Sequence, residues 1–156
     1  EAADEVGVRL EMVGGLPIWE AMPGPRHQRE VFRIQSSVKR PEGSGADCGC
    51  IALSDVAIRF EDGSFKRPDI AIFCRQPDEE DEATSLIPEA VVEIVSKRYE
   101  AKDYEIGLPF YLKAGVKDVI IFDPSRNHVL HARCEGQKEL ASPVTFQLEC
   151  GCTCTV

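Results

Sequence analysis

At 156 residues the chain is one domain's worth of polymer, long enough to bury a sizeable single core. Apolar residues at 43% and charged residues at 29% give the balance of a folded globular chain and exclude a disordered one. Acids outnumber bases 27 to 18, and the net charge of −9 excludes a protein that grips phosphate backbones by bulk electrostatics alone. No apolar run approaches the ~18 residues of a membrane span, so a soluble chain is expected. The acidic opening Glu1-Ala2-Ala3-Asp4-Glu5 is unlike a secretory signal, and a start on Glu rather than Met is expected of a trimmed stretch of a longer chain.

In chain order, Val8 to Val13 and Leu16 to Met22 flank Gly14-Gly15 and predict a β-hairpin. Pro23-Gly24-Pro25 breaks the chain, and Val31, Ile34 and Val38 recur at helical spacing, which predicts a helix over 26–38. Glu42 to Gly49 reads as a Gly-rich loop, and Cys50 to Phe60 as a roughly alternating strand ending at the turn Glu61-Asp62-Gly63-Ser64. Pro68 opens a short strand, Asp69 to Cys74, a position that tolerates proline. The five acids between Gln76 and Ser85 predict a solvated loop. Ala90 to Val95 and Val116 to Phe122 are nearly continuous apolar runs of the kind buried on both faces. Between them Lys102 to Ala114 is helical, interrupted near Pro109 and closed by Gly115. Strands over 129–134 and 144–155 complete a mixed α/β (α+β) sandwich around one central sheet, expected as one domain over 1–156.

Two acids stand in apolar strands, where an unpaired carboxylate costs several kcal/mol: Asp69 in Pro68-Asp69-Ile70-Ala71-Ile72-Phe73 and Glu93 in Val91-Val92-Glu93-Ile94-Val95. Either each is matched by a local cation, or both converge on a divalent metal. The segments 67–72 and 91–96 resemble the two acidic motifs of the Uma-two family of restriction-endonuclease-like nucleases. Asp103-Tyr104 through Pro109 to Val116, leading into Ile120-Ile121-Phe122-Asp123-Pro124, is similar to the stretch C-terminal to those motifs in that family. Upstream, Leu10 to Gly15 and Pro23-Gly24-Pro25-Arg26-His27 resemble its opening hairpin and His.

The resemblance implies a PD-(D/E)xK core, a mixed sheet flanked by helices, acting on DNA with Mg²⁺ or Mn²⁺. Asp69, Glu93 and the carbonyl of Ile94 would be the metal ligands. Hard cations take oxygen ligands, activate water and offset phosphate charge. The motif's lysine is missing: Val95 stands two residues after Glu93, and Gly107 stands where the family supplies a lysine from the next helix. Lys97 and Lys102 are the substitutes, Lys97 preferred because it shares the face of Glu93 if the strand continues. Glu11 is either an additional acid near the metal or an exposed hairpin acid. His27 is read as a cap or structural residue, Ser96 as a turn former, and Asp103 as a cap or a partner of Lys97. His128 and His131 fall on opposite faces of a strand, and Asp123-Pro124 ends one. Arg26, Arg29, Arg33, Lys39, Arg40, Lys66 and Arg67 form a basic stripe, DNA-facing or merely solvated. A homodimer is expected because two cuts in duplex DNA suit a two-fold assembly.

Seven cysteines, at 48, 50, 74, 134, 150, 152 and 154, are read as thiols of a reducing cytoplasm. Cys150, Cys152 and Cys154 would share one face of a strand, with neighbours ~7 Å apart, which is wide for ligands of one zinc ion. The preferred reading is therefore small apolar side chains on a buried face.

Overall fold

The computed structural model describes residues 7–43, 45 and 47–156. The acidic opening at 1–5 and two positions of the 42–49 loop lie outside the described residues. A six-stranded sheet forms the centre, in the order β10 (Gly136–Ala141), β9 (His128–Arg133), β8 (Asp118–Asp123), β7 (Ala90–Ile94), β6 (Ile70–Phe73), β3 (Ile51–Ser54). Only β7 and β8 run parallel, and the chain between them crosses over through a helix. This is the mixed sheet flanked by helices that the motif order predicts.

Alternation explains why the central strands look continuously apolar. Ile70, Ile72, Val92, Ile94, Ile120 and Phe122 pack on one face, against Val31 and Ile34 of α1 (Pro25–Ser37) and the C-terminal hairpin of β11 (Thr145–Gln147) and β12 (Thr153–Thr155). Ala71, Phe73, Val91, Val119 and Ile121 pack on the other, against Tyr111 of α2 (Leu108–Lys113) and Ile58. Both faces are covered, so both parities of the strand interiors are apolar, and the buried acids Asp118 and Asp123 stand at the ends of β8.

The 102–114 helix is two objects. Lys102–Gly107 is a π-helical turn that runs directly into α2, with Pro109 at the junction where the wider turn gives way to α-helix. The wide turn directs Lys102, Asp103 and Gly107 inward together. A Cβ on Gly107 would lie 3.1 Å from the Lys102 carbonyl oxygen, so close packing accounts for glycine at this place.

Several sequence expectations are corrected. The 50–60 strand is two, β3 and β4 (Ile58–Arg59), split where Asp55 takes φ +53. β10 was not expected, because it is a polar edge strand with almost no buried side chain. The 144–155 stretch is a hairpin rather than continuous strand, and Cys150-Gly151-Cys152 is a turn with Gly151 at φ +95. Four cysteines are not free thiols: disulfides join Cys48 to Cys74 and Cys50 to Cys152, while Cys134, Cys150 and Cys154 remain free. Among the described residues no helix is long and apolar enough to cross a membrane.

Candidate metal centre

The site begins where the β6/β7 ladder opens. Ile70 pairs with Val92 and Ala71 with Val91, so the next antiparallel step sets Asp69 opposite Glu93, on the face of Ala71 and Val91. There the two side chains replace ladder bonds. The Asp69 N–H donates to Glu93 Oε2 (3.2 Å), and the Ile94 N–H donates to Asp69 Oδ2 (2.8 Å). Both residues are buried, Asp69 at 5% and Glu93 at 1% exposure. The two acids singled out by sequence are therefore neighbours on one face.

The groups around them come largely from the N-terminal hairpin, β1 (Val8–Val13) and β2 (Leu16–Ala21). This hairpin is inverted: Arg9, Glu11 and Glu20 point inward, while Leu16 and Trp19 are exposed at 70% and 52%. Arg9 Nη1 meets Glu20 (3.0 Å) and Asp69 Oδ1 (3.2 Å), and its Nη2 reaches Asp55 (3.0 Å). Glu11 Oε2 accepts from Lys66 Nζ at 2.5 Å, and its Oε1 accepts from the Arg67 N–H at 2.9 Å. Lys66 in turn lies 5.1 Å over the Tyr111 ring, whose hydroxyl donates to Glu93 Oε1 at 2.8 Å. Lys102 Nζ meets Glu20 (3.1 Å) and, more loosely, Asp103 (3.6 Å).

This arrangement fits a divalent cation by charge. Five buried acids (Glu11, Glu20, Asp69, Glu93, Asp103) face three buried cations (Arg9, Lys66, Lys102), and protonated His27 against Asp69 makes a fourth, so the acids remain in excess by one. The titration behaviour carries the same excess. Burial, with Asp69 adding to it and Lys102 opposing it, pushes Glu93 up to about 7. Burial and then the neighbouring Glu93 raise Asp103 well above the carboxylate range. Asp69 goes the other way: burial would raise it, but His27 and Arg9 outweigh that and hold it at about 2. Burial alone would discharge Lys102, yet Glu93, Glu11 and Asp103 hold it protonated. Two carboxyls thus keep protons in place of a dication, and Asp103 Oδ1 has no hydrogen-bond partner. Asp69 Oδ2 is filled by two donors, whereas Asp69 Oδ1 and both Glu93 oxygens each accept one hydrogen bond and retain a lone pair for an ion.

His27 donates through Nε2 to Asp69 Oδ2 (3.0 Å), and its Nδ1 is buried without a partner. It lines, with Arg26, Ile94, Ser96 and Lys97, an open cleft of about 630 Å³, of whose lining His27 and Ile94 bond Asp69. Two other hollows, at 131–138 and 53–84, contain no residue of the carboxylate network.

The remaining sequence candidates separate clearly. β7 ends at Ile94 and the chain turns through Arg98 at φ +78, so the strand does not continue to Lys97, which is exposed on the cleft wall. Lys102 is inside the network. Glu11 is a buried partner of Lys66 rather than an exposed hairpin acid. Asp103 sits beside Lys102 in the π turn. Lys66 is fully buried and leaves the basic stripe, and Arg67 pairs with Asp55 at 2.8 Å. Arg26, Arg29, Arg33, Lys39 and Arg40 are exposed, although Arg33 is engaged by Glu30 at 2.7 Å. His131 bonds Asp118 (2.7 Å) and His128 approaches Glu139 (3.8 Å), so neither serves the site. Asp123 caps the turn after β8 by accepting from Ser125 and Arg126. Arg9, Glu20 and Tyr111 were missed. The signal was present: Arg9 and Glu11 alternate with Leu10 and Met12, and Glu20 pairs with Arg9 across the hairpin.

Paired strand acids, a buried lysine and a mixed sheet of this order define a nuclease-type α/β fold. Residues 1–149 match the Uma2 family, described as "Putative restriction endonuclease", and the chain belongs to that family. A solved structure, described as a putative nuclease belonging to DUF820 from Anabaena variabilis, shares the fold at a TM-score of 0.64 and 23% identity, covering 86% of this chain and 77% of that one. No curated protein matches the chain.

Proposed function

We propose that the chain is a metal-dependent endonuclease that hydrolyses DNA phosphodiester bonds, working as a homodimer. The reading is supported by the pairing of Asp69 with Glu93 across an opened ladder, in a pocket where acids outnumber cations. Asp69, Glu93 and the carbonyl of Ile94 would hold Mg²⁺ or Mn²⁺. When bound, the ion supplies a Lewis acid and lowers the pKa of a coordinated water. It also makes an acidic pocket compatible with a polyanion.

The protein's own groups do the rest. Arg9 and His27 fix the orientation of Asp69, and Tyr111 fixes that of Glu93. Glu93, near half-protonated at neutral pH, gives up its proton as the ion is taken up. Lys102, held charged by its acidic neighbours, would offset the negative charge that builds on phosphorus as the water oxygen bonds and the ester oxygen leaves. Lys97 and Arg26, on the cleft, would contact the phosphate backbone.

Plasmid cleavage with Mg²⁺ or Mn²⁺ tests this. Asp69→Asn and Glu93→Gln should abolish cutting. Lys102→Met should slow it by ~100-fold or more, while Lys97→Ala costs only a few-fold. Cutting that survives both acid substitutions would overturn the assignment. A second reading, a nuclease-fold DNA-binding or regulatory protein that no longer cuts, is favoured by Val95 and Gly107 at the lysine positions and by Lys66 and Lys102 already being paired. Metal-dependent DNA binding without cleavage would select it.

A further inference from the structure

On the sheet face opposite the carboxylates, five cysteine sulfurs from three distant segments converge. Cys48 and Cys50 precede β3, Cys74 follows β6, and Cys150 and Cys152 form the turn between β11 and β12. The sulfurs of Cys48, Cys74 and Cys150 lie within 4.8 Å of one another, and so do those of Cys48, Cys50 and Cys152. Cys48 Sγ and Cys152 Sγ, which are not bonded to each other, are 3.5 Å apart. Two disulfides satisfy four of the five and leave Cys150, half-buried against Cys48 and Cys74, as a thiol with no bridge to make.

The backbone is shaped for this convergence. The Gly49 N–H donates to the Cys74 carbonyl at 2.7 Å, and a Cβ on Gly49 would lie 2.8 Å from that oxygen. Gly151, at φ +95, turns the second Cys-Gly-Cys so that the extended-strand spacing does not apply to Cys150 and Cys152. Each glycine is demanded by local geometry, and each brings its flanking thiols to the same place.

Four thiolates bound at ~2.3 Å to one zinc ion stand about 3.8 Å apart along the tetrahedron's edges. Cys48 is the common point: its sulfur lies 3.5 Å from that of Cys152 and within 4.8 Å of those of Cys74 and Cys150. We propose that the reduced chain binds one zinc ion through the clustered thiolates of Cys48, Cys74 and Cys150, with Cys152, released from its bridge beside Cys48, turning in as the fourth ligand. The zinc site and the two disulfides exclude each other. Uptake takes four thiols and one zinc ion to a tetrathiolate and releases four protons. Reoxidation by a small-molecule disulfide moves an electron pair from two cysteine thiolates to the oxidant, which takes two protons and leaves as two thiols, while zinc is released. Either state pins the C-terminal hairpin to the β3/β6 edge of the sheet. This site is independent of the nuclease reading.

The test uses the full chain reduced with a phosphine, which takes oxygen from water and leaves two protons on each opened bridge. Loaded with equimolar zinc and desalted, it should retain one zinc per chain. With Co²⁺ it should give the intense visible bands of a tetrahedral thiolate site, which carboxylate-bound cobalt does not give. Cys150→Ser takes part in neither disulfide and so leaves the oxidised fold intact. It should weaken zinc binding at least tenfold, whereas Cys134→Ser and the double variant Asp69→Asn/Glu93→Gln retain it. Oxidised glutathione should release the metal. No retained zinc, no thiolate bands with cobalt, or undiminished affinity in Cys150→Ser would overturn the proposal.

Discussion

Glu93→Gln should make the metal-free protein more stable above neutral pH while removing its response to metal. The folded carboxyl titrates at about 7 against an ordinary 4.5, because burial disfavours its charged form. Between those two values the folded chain holds a proton that the unfolded chain has lost, so stability falls as pH rises through the window. The full cost, about 3 kcal/mol, is reached above pH 7. A neutral isostere escapes it. Glutamine must turn an amide N–H toward either the Asp69 N–H or the Tyr111 hydroxyl, both of which now donate. The hydroxyl can rotate to accept, which limits the loss to about 1 kcal/mol. The net gain of about 2 kcal/mol corresponds to roughly 4–8 °C for a chain of this size. Thermal unfolding in chelator at pH 4.5 and pH 8.5 reads it: the variant should be no more stable than the parent at the lower pH and more stable at the higher. Millimolar Mn²⁺ should then raise the parent's midpoint and leave the variant's unchanged. A variant less stable than the parent at pH 8.5 would refute the assignment of Glu93 as a carboxyl held against its charge.

Metal uptake should release protons, up to two below pH 7 as Glu93 and Asp103 ionise; calorimetry in buffers of different ionisation enthalpy counts them, and a count of zero removes the charge-excess argument. Gly107→Lys, which restores a family lysine, should cost about 1–3 kcal/mol by overpacking against the Lys102 carbonyl rather than raise activity, as unfolding and cleavage assays will show. Asp118→Asn should destabilise by about 3 kcal/mol, because its buried carboxylate accepts from His131, Arg133 and the Glu149 N–H. Being outside the network, it should leave the Mn²⁺-induced rise in melting temperature intact.

The central strands and the two acids were legible because charge is costly in an apolar run, so Asp69 and Glu93 stood out from composition alone. The inverted hairpin was harder to see. Its apolar residues are real but face outward, and the inward residues are charges balanced by partners far along the chain, as Arg9 is by Asp69, Glu11 by Lys66 and Glu20 by Lys102. Lys66 and Lys102 are indistinguishable from surface lysines by type, and only tertiary packing buries them. The preference for Lys97 rested on strand parity, and β7 ends at Ile94, three residues before it. The polar edge strand β10 has little to betray it, since it pairs on one side with β9 and sets only Leu140, half-buried, against the core. The alternating cysteines invited a strand, and the glycine between the first two makes a turn instead.

Manganese soaked into crystals of the intact chain gives the most direct reading. Anomalous scattering should place one ion against the side chains of both Asp69 and Glu93 at oxygen-ligand distances, with the Ile94 carbonyl completing the set. Crystals that hold no manganese there under saturating concentrations, or that bind it only elsewhere, would contradict the account.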